Sequence, residues 1–474
     1  MGDAKTTKTS RRTLAAVVLA AGKGKRMKSA SPKVLAPVCG KPALWHVLET
    51  ARAARPDRIV IVVGKQAAEV RAAVRSWGIS PEPTFVQQKE QLGTGHAVLS
   101  ARKAVRDADD VLVANGDFDP VRPEDVRRLV TTHRRTKGAA AVLTAELDDP
   151  GGYGRVVRNG ARVVRVVEEA DASDDVRRLR EVATNWAVFR RADLFEVLPK
   201  VGRDNRQREY YLNDAYPLLM EGGERVTALL GDTGGAMGLN SRAGLAAVQR
   251  VVRERINERH LRNGVTIVDP AATYVDAGVR IGRDTILRPM TFLEGDTRIG
   301  AGCDVGPSTR VVDSVVGDRT TITFAVVLES TIGRDASIGP FVRIRPGVRM
   351  GDRSKAGAFV DLKNAKIGEG SKVPHLSYVG DAVIGRNANI GAATVVVNYD
   401  GYAKHQTVIG DDARIGSDTM LIAPVRVGKG AVTGAGSVIT SDVPAGALAV
   451  ERAEQKVVTG YRKRKDAQHR SKGT

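Results

Sequence analysis

From about residue 265 onward the sequence repeats. Ile281-Gly282, Ile299-Gly300, Val316-Gly317, Ile332-Gly333, Ile338-Gly339, Ile367-Gly368, Ile384-Gly385, Ile390-Gly391, Ile409-Gly410, Ile415-Gly416 and Val427-Gly428 recur mostly at multiples of about six residues. In such a hexapeptide repeat each unit forms one face of a triangular coil. The aliphatic residue points inward, the small residue permits the tight corner, and stacked coils bury a continuous Val/Ile core. Ordinary strands joined by turns would not keep so many pairs in phase. The same arrangement accounts for 50 glycines and an aromatic content of only 4% in 474 residues. The phase breaks at Asn398 to Gln406, which predicts a loop protruding from the coil, a common location for function on repeat scaffolds.

The first half obeys a different period. From residue 13 to about 245, β-rich runs (Ala15 to Leu19, Arg58 to Val63, Asp110 to Ala114, Ala139 to Thr144) alternate with helical patterns such as Pro42 to Ala54 and Glu124 to Thr136. That alternation predicts βαβ units around a mostly parallel sheet. The expected organisation is a basic disordered tail over 1–12, an α/β Rossmann-like domain over 13–242, and a linker helix over 243–264 with Leu245, Val248, Val252 and Ile256 on one side. An all-β left-handed parallel β-helix over 265–460 and a second basic disordered tail over 461–474 complete it.

Charge and cysteine content bound the function classes. The formal charge is +20, but residues 1–12 carry a net +3 and residues 461–474 a net +5, and no nucleic-acid-binding motif accompanies them. The remainder suits phosphorylated substrates better than nucleic acid. Cys39 and Cys303 are far apart and outside any metal-binding spacing, so no disulfide framework is expected and a reducing, cytoplasmic compartment is favoured. The run Leu14 to Ala21 after Arg11-Arg12 imitates a short signal peptide but reads as a buried strand. No stretch approaches the ~20 apolar residues of a membrane span.

Two groups of motifs carry the chemistry. In the first half, Leu19-Ala20-Ala21-Gly22-Lys23-Gly24-Lys25-Arg26-Met27, then Ser31-Pro32-Lys33, places a glycine loop between a strand and a helix. A loop free of Cβ bulk lets backbone N–H groups approach phosphates, while Arg26 and Lys33 offer positive charge for phosphoryl transfer. Gln87-Gln88-Lys89-Glu90-Gln91-Leu92-Gly93-Thr94-Gly95-His96-Ala97 follows, then Asn115-Gly116-Asp117 after a buried strand, Gly152-Tyr153-Gly154-Arg155, Val167-Glu168 and Gly238-Leu239-Asn240-Ser241-Arg242. In the second half, Arg343-Ile344-Arg345-Pro346-Gly347, Phe359-Val360-Asp361-Leu362-Lys363, Pro374-His375-Leu376-Ser377-Tyr378-Val379-Gly380-Asp381 and Asn398-Tyr399-Asp400-Gly401 interrupt the coil with polar groups. His375 is the one histidine inside that cluster, which makes it a candidate general base.

The two sets, in this order, resemble the bifunctional N-acetylglucosamine-1-phosphate uridylyltransferase/glucosamine-1-phosphate N-acetyltransferase family over nearly the whole chain. The resemblance implies acetyl transfer from acetyl-CoA to glucosamine 1-phosphate on the coil. It also implies uridylyl transfer from UTP to N-acetylglucosamine 1-phosphate, with Mg²⁺, in the first half. In the nucleotidyltransferase, Leu19, Ala20, Ala21, Gly22, Lys33, Gln88, Gly93 and Thr94 correspond to nucleotide-binding positions. Arg26 and Lys33 correspond to catalytic ones, Asp117 and Asn240 to metal ligands, and Gly154, Glu168 and Ala183 to sugar-phosphate contacts. In the coil, Arg345, Lys363, Tyr378 and Asn389 correspond to sugar-phosphate contacts and His375 to the base. Ala392, with the backbone donor for the oxyanion, Asn398, Tyr399, Lys404, Ser417, Ala435 and Arg452 correspond to positions around acetyl-CoA. A homotrimer is implied too, because such sites form between adjacent coils.

The chain departs from the family pattern at several places. Where the family has Asn-Thr/Ser-Gly, this chain reads Ala183-Thr184-Asn185-Trp186, losing an amide at 183. Phe118-Asp119-Pro120 replaces the usual Val/Thr-Pro, and Asp119 is left with two readings, a further metal ligand or a solvent-facing side chain. Asp361 stands for a glutamate and Ala393 for a glycine. These departures motivate a second reading, an acetyltransferase whose nucleotidyltransferase domain is weakened or re-specified. A third makes the chain a scaffold or nucleic-acid-binding protein that uses its basic tails.

Overall fold

A computed structural model describes residues 11–22, 27, 29, 31–160, 162–234 and 238–470. The chain divides into two compact units, one ending at Ile256 and the other beginning at Asn257.

In the first unit the apolar runs become strands β1 (Leu14–Ala20), a short ribbon of β2 (Pro37–Val38) and β3 (Lys41–Pro42), then β4 (Arg58–Val63), β5 (Thr84–Gln87), β6 (Asp110–Asn115) and β7 (Ala140–Glu146). A hairpin of β8 (Arg155–Asn159) and β9 (Arg162–Val167), β10 (Glu181–Arg190) and β11 (Val226–Leu230) follow. The main sheet runs β11-β7-β10-β6-β1-β4-β5. It is parallel except at β10, which lies antiparallel to β6 and β7. Every residue of β1 is buried, which is why that strand reads as an unbroken apolar run rather than an alternating one. Helices α1 (Ala43–Arg52), α2 (Ala67–Ser76), α3 (Thr94–Ser100) and α4 (Pro123–Thr136) are among the connections. α4 starts with Pro123 in its first turn and Glu124 and Asp125 behind it, a favourable arrangement at the positive end of a helix. Asp110, at the foot of β6, accepts hydrogen bonds from His133, Arg12 and Arg134. Burial opposes its ionisation, yet these donors hold the carboxyl well below the usual carboxylate range.

The register fixes where chemistry can occur. Leu19 pairs with Asn115, and Gly116 N donates to Leu19 O at 2.8 Å, so the chain leaves β1 towards Gly22 and β6 towards Asp117 side by side. A Cβ at position 116 would stand 3.0 Å from Leu19 O, so glycine allows this approach. The carboxyl ends of adjacent parallel strands are the usual ligand-binding edge of such a sheet.

The second unit is a parallel β-helix of the left-handed hexapeptide class. Its short strands stack into three sheets of 11, 10 and 9 strands. Inward residues such as Leu287, Val305, Ile322, Ile344 and Leu362 are fully buried. The Ile/Val-Gly pairs identified in the sequence end strands of two of these sheets, for example Thr331–Ile332 in one and Ser337–Ile338 in another. A Cβ on Gly333 would meet Asp352 N of the next coil at 2.5 Å, which no flexible side chain could relieve. One coil takes 17 residues from Lys372 to Asn389, but the next takes 25 to Arg414. The surplus is the loop around Asn398–Gln406, anchored by an antiparallel bridge between Tyr399 and Lys404.

The helix expected over 243–264 runs Arg242–Arg262, and the division between units falls inside it. Arg255 donates to the carbonyls of Pro120 and Asp232 in the first unit. Asn257, one turn on, donates to the carbonyls of Pro270 and Thr273 in the second. The disordered tail expected over 461–474 needs correction, since Tyr461–Arg470 is an exposed helix. Arg462 pairs with Asp466 at i,i+4, and Lys465 Nζ sits 5.9 Å from the centre of the Tyr461 ring. Such contacts support a helix that buries nothing. The expected tail at 1–12 lies outside the described residues up to position 10. Arg11 and Arg12 are tied down, Arg12 by its bonds to Asp110.

Candidate active sites

At the carboxyl edge of the first unit's sheet lies a cavity of about 440 Å³ lined by Leu19, Ala21, Gly22, Lys33, Val34, Gln88, Gln91, Gly93, Thr94, Ala97, Asn115, Asp117 and Glu209. Seven of the eight expected nucleotide-binding residues are therefore on one wall, and the eighth, Ala20, is the buried last residue of β1. Arg26 lies outside the described residues.

The Gln88 amide has a defined orientation. Its Nε2 donates to Gly93 O at 3.2 Å and meets His96 Nδ1 at 3.0 Å. Gly93 O can only accept, so the nitrogen is placed there and Oε1 is the atom left as an acceptor. Thr94 Oγ1 accepts from Leu212 N at 2.9 Å, which couples the start of α3 to the segment 209–214.

Lys33 Nζ reaches Asp117 Oδ2 at 2.7 Å and Asn240 Oδ1 at 2.9 Å. The second carboxylate oxygen of Asp117 is buried without a hydrogen-bond partner. A carboxylate and an amide carbonyl converging on one cation, with an oxygen to spare, form a hard-oxygen donor set that fits Mg²⁺. Asp119 is not a solvent-facing residue. It is 2% exposed, and burial together with the charge of Asp117 pushes its carboxyl up to about 6. Its Oδ2 accepts from both the backbone N and the Nδ2 of Asn185 at 2.9 Å.

Gly154, Glu168 and Ala183 come together, though away from the lining of the main cavity. Ala183 N donates to Gly154 O at 2.9 Å. A Cβ on Gly154 would stand 3.5 Å from Asn213 Nδ2 and 3.6 Å from Glu168 Oε1, and Asn213 holds Glu168 at 2.7 Å. Burial raises the Glu168 carboxyl above its usual range. Sequence reasoning missed Asn213, Glu209 and the orienting role of His96. His96 lay inside a quoted motif, whereas nothing in the spacing of 209–213 marks it as part of a site.

On the coil, a polar cluster gathers around Asp381. It accepts from Asn364 Nδ2 at 2.7 Å and Asn398 Nδ2 at 2.5 Å, with Lys363 Nζ 3.9 Å away. Lys363 also pushes the nearby Lys404 ammonium below the ordinary lysine range, and two adjacent ammonium groups suit an anion. A Cβ on Gly380 would fall 2.5 Å from the Tyr378 hydroxyl and 2.7 Å from Asn398 Nδ2, so the bare glycine lets those groups converge. Arg345 makes a two-point contact with Asp361, with Nε at 2.9 Å. Asn389 sits in register between Lys372 and Arg414 on the neighbouring coils. The His375 side chain is exposed, and its carbonyl accepts from Ala393 N at 3.3 Å.

Ala392, Ser417 and Ala435 lie on successive coils at one corner. Asp418 N donates to Ala392 O, Gly436 N donates to Ser417 O, and Arg452 Nη1 reaches Ala435 O at 3.2 Å. In the protruding loop Asp400 accepts from Tyr402 N, Ala403 N and His405 Nε2, and the Tyr399 hydroxyl donates to Gly401 O at 2.6 Å. The loop that carries Asn398, Tyr399 and Lys404 is thereby braced internally. Along one edge of the coil, Phe324, Phe341 and Phe359 stack at 5.5 and 5.2 Å and stay exposed.

Residues 16–210 match the family model of the MobA-like NTP transferase domain, and residues 326–432 match that of the GMPPB C-terminal domain. The "Bifunctional protein GlmU" of Streptomyces avermitilis is 46% identical over 459 residues, covering 96% of this chain and 95% of the relative. That of Caldanaerobacter subterraneus subsp. tengcongensis is 43% identical, covering 94% of this chain and 97% of the relative. A solved UDP-glucose pyrophosphorylase complexed with UDP-glucose is 17% identical with a TM-score of 0.43, covering 51% of this chain and 99% of its own. No helix among the described residues is long and apolar enough to cross a membrane.

Proposed function

The chain belongs to the family of bifunctional GlmU proteins, and on that premise we propose how its two units divide the chemistry. Its activities are uridylyl transfer to N-acetylglucosamine 1-phosphate and acetyl transfer to glucosamine 1-phosphate. The first unit performs the uridylyl step with UTP, and the coil the acetyl step with acetyl-CoA.

The observation that carries the first assignment is the convergence of Lys33, Asp117 and Asn240 beside the cavity. Asp117 and Asn240 would hold Mg²⁺, which when bound offsets charge on the phosphates. Lys33 stays close enough to offset charge on the pentavalent phosphoryl centre as pyrophosphate leaves, and the bare Gly22 leaves room beside it for the phosphates. Gln88 Oε1, a fixed acceptor, suits the N3–H of uracil, and Gly93 and Thr94 complete that wall. Gly154 and Glu168 face the sugar. No protein nucleophile is needed, because the sugar phosphate oxygen attacks directly.

On the coil, Lys363 and Arg345 grip the sugar phosphate while Tyr378, Asn389 and Asn398 orient the amine. His375 takes the ammonium proton as nitrogen attacks the thioester carbonyl, then returns it to the departing thiolate. The Ala392 N–H stabilises the oxyanion. Tyr399, Lys404, Ser417, Ala435 and Arg452 hold the coenzyme along the corner of stacked coils. A homotrimer, with the phenylalanine edge covered by a second copy, and a cytoplasmic setting belong to the same reading. The test is direct. One preparation is assayed for pyrophosphate release from UTP with N-acetylglucosamine 1-phosphate and for thiol release from acetyl-CoA with glucosamine 1-phosphate. A rate at background for either step overturns the assignment for that unit.

A further inference from the structure

The departures at 118–120 and at 183–186 meet in the structure. The buried Asp119 carboxylate holds Asn185 by two hydrogen bonds, one from its backbone and one from its side chain. Asn185 lies where β10 leaves its register with β7, an irregularity running from Ala183 to Ala187. Its backbone N–H goes to Asp119, and Thr184 Oγ1 takes over bonding to the Leu143 carbonyl at 2.8 Å. Asn185 is therefore exposed although Thr184 and Trp186 on either side are buried. With the amide nitrogen committed to the carboxylate, the atom left to face outward is Oδ1, an acceptor whose orientation is set before any ligand arrives.

Its surroundings are those of the sugar subsite. The position of a Cβ on Gly238 lies 3.8 Å from Asp119 Oδ1, 3.8 Å from the Tyr153 ring and 3.4 Å from Asn240 Nδ2. Asp119 Oδ1, the Tyr153 ring and the Asn240 amide thus gather around Gly238, and Asn185 joins them through its bonds to Asp119. Ala183, two residues before Asn185, bonds to Gly154 itself. The amide absent at 183 is present at 185, in a fixed orientation.

We propose that Asn185 is a specificity-determining contact for the sugar 1-phosphate, its Oδ1 accepting a hydrogen bond from a donor on the sugar. Asp119 is the positioning residue behind it. The inference rests on the reading of the first unit as a sugar-1-phosphate uridylyltransferase. The donor is either the acetamido N–H at C2 or a ring hydroxyl, and the two are separable with N-acetylglucosamine 1-phosphate and glucose 1-phosphate as acceptors.

The experiment uses the full chain as wild type, Asn185→Ala, and Asn185→Ala combined with Ala183→Asn. In the single variant KM for N-acetylglucosamine 1-phosphate is expected to rise roughly five- to tenfold, the scale of one lost hydrogen bond. KM for UTP and the acetyl-transfer rate stay within about twofold. The double variant, with the amide returned to 183, is expected to recover most of the sugar KM, which a merely structural role would not produce. If glucose 1-phosphate loses as much, the donor is a hydroxyl; if only the acetylated sugar loses, it is the acetamido N–H. An active Asn185→Ala enzyme with both sugar KM values unchanged overturns the proposal. So does an equal rise in the UTP and sugar KM values that Ala183→Asn does not reverse. A wild-type enzyme that releases no pyrophosphate from UTP with any sugar 1-phosphate overturns the underlying reading instead.

Discussion

The ammonium of Lys33 lies 2.7 Å from the carboxylate of Asp117, with only 10% of the lysine side chain exposed. A contact this short and this sheltered makes each residue the principal neutraliser of the other. Removing the carboxylate leaves Lys33 the Asn240 carbonyl as its hydrogen-bond acceptor among the described residues and takes the one charged ligand from the proposed metal position. Asp117→Ala is therefore expected to lower Mg²⁺-dependent pyrophosphate release by about 100-fold or more while leaving acetyl transfer intact. Asn240→Ala should act in the same direction, more mildly. Rates at several Mg²⁺ concentrations check this, and an unchanged Mg²⁺ dependence in the Asp117 variant shows that the metal is held elsewhere.

His375→Ala is expected to reduce acetyl transfer by a factor of about 10² to 10⁴, the usual range for a general base. Its uridylyl activity should match wild type. Equal loss of both activities in a correctly assembled variant would contradict the role.

Gly380→Ala tests the convergence above that glycine. The added methyl group would fall 2.5 Å from the Tyr378 hydroxyl and 2.7 Å from Asn398 Nδ2, so one or both must move. KM for glucosamine 1-phosphate is expected to rise roughly tenfold with uridylyl transfer unaffected. A wild-type KM would show that the two side chains do not meet the sugar.

Phe341 is 56% exposed, stacked between two other exposed rings. Phe341→Glu places a charge in the apolar edge proposed for subunit contact and is expected to shift the protein from the proposed trimer towards monomer, with loss of acetyl transfer. Sedimentation velocity of both forms decides, and a trimeric variant would mean that the copies meet along another face.

Burial pushes the His46 imidazole down to about 4, helped by Lys41 and opposed by the Val38 carbonyl 2.8 Å from its Nε2. The unfolded chain takes up a proton there near 6.5 and the folded chain does not. This histidine's contribution to stability is therefore full above about pH 6.5 and declines as pH falls towards 4. All three tryptophans, Trp45, Trp77 and Trp186, lie in the first unit, so urea unfolding followed by their fluorescence reports on that unit. His46→Gln is expected to flatten the pH dependence between 6.5 and 4; an identical slope in the variant would assign it to other groups.

The coil was legible because its rule is carried by single residues in phase, an aliphatic side chain followed by a corner where a Cβ would strike the next coil, as at Gly333. The sheet was legible because β1 and β6 are buried on both faces and read as apolar runs. What could not be read are pairings across distance. Asp119 finds its partner 66 residues away, and that partner lies at a strand irregularity that no local pattern announces. Asn213 reaches Glu168 from a segment with no motif. The helix over Tyr461–Arg470 escaped for the opposite reason: with no apolar stripe, only intrinsic propensity and local pairs indicate it.

The helix Arg242–Arg262 also determines where the polypeptide can be cut. Although the change of period invites truncation near residue 265, a fragment beginning there would lack Asn257, whose Nδ2 satisfies the carbonyls of Pro270 and Thr273. Thr273 is buried, so its carbonyl left unpaired costs about 1–3 kcal/mol, whereas the exposed Pro270 can turn to water; the loss falls at the end of a stack where no preceding coil can share it. A separately expressed acetyltransferase half must begin within the last turns of the helix, and the complementary half must keep residues through Arg255 to retain its ties to Pro120 and Asp232.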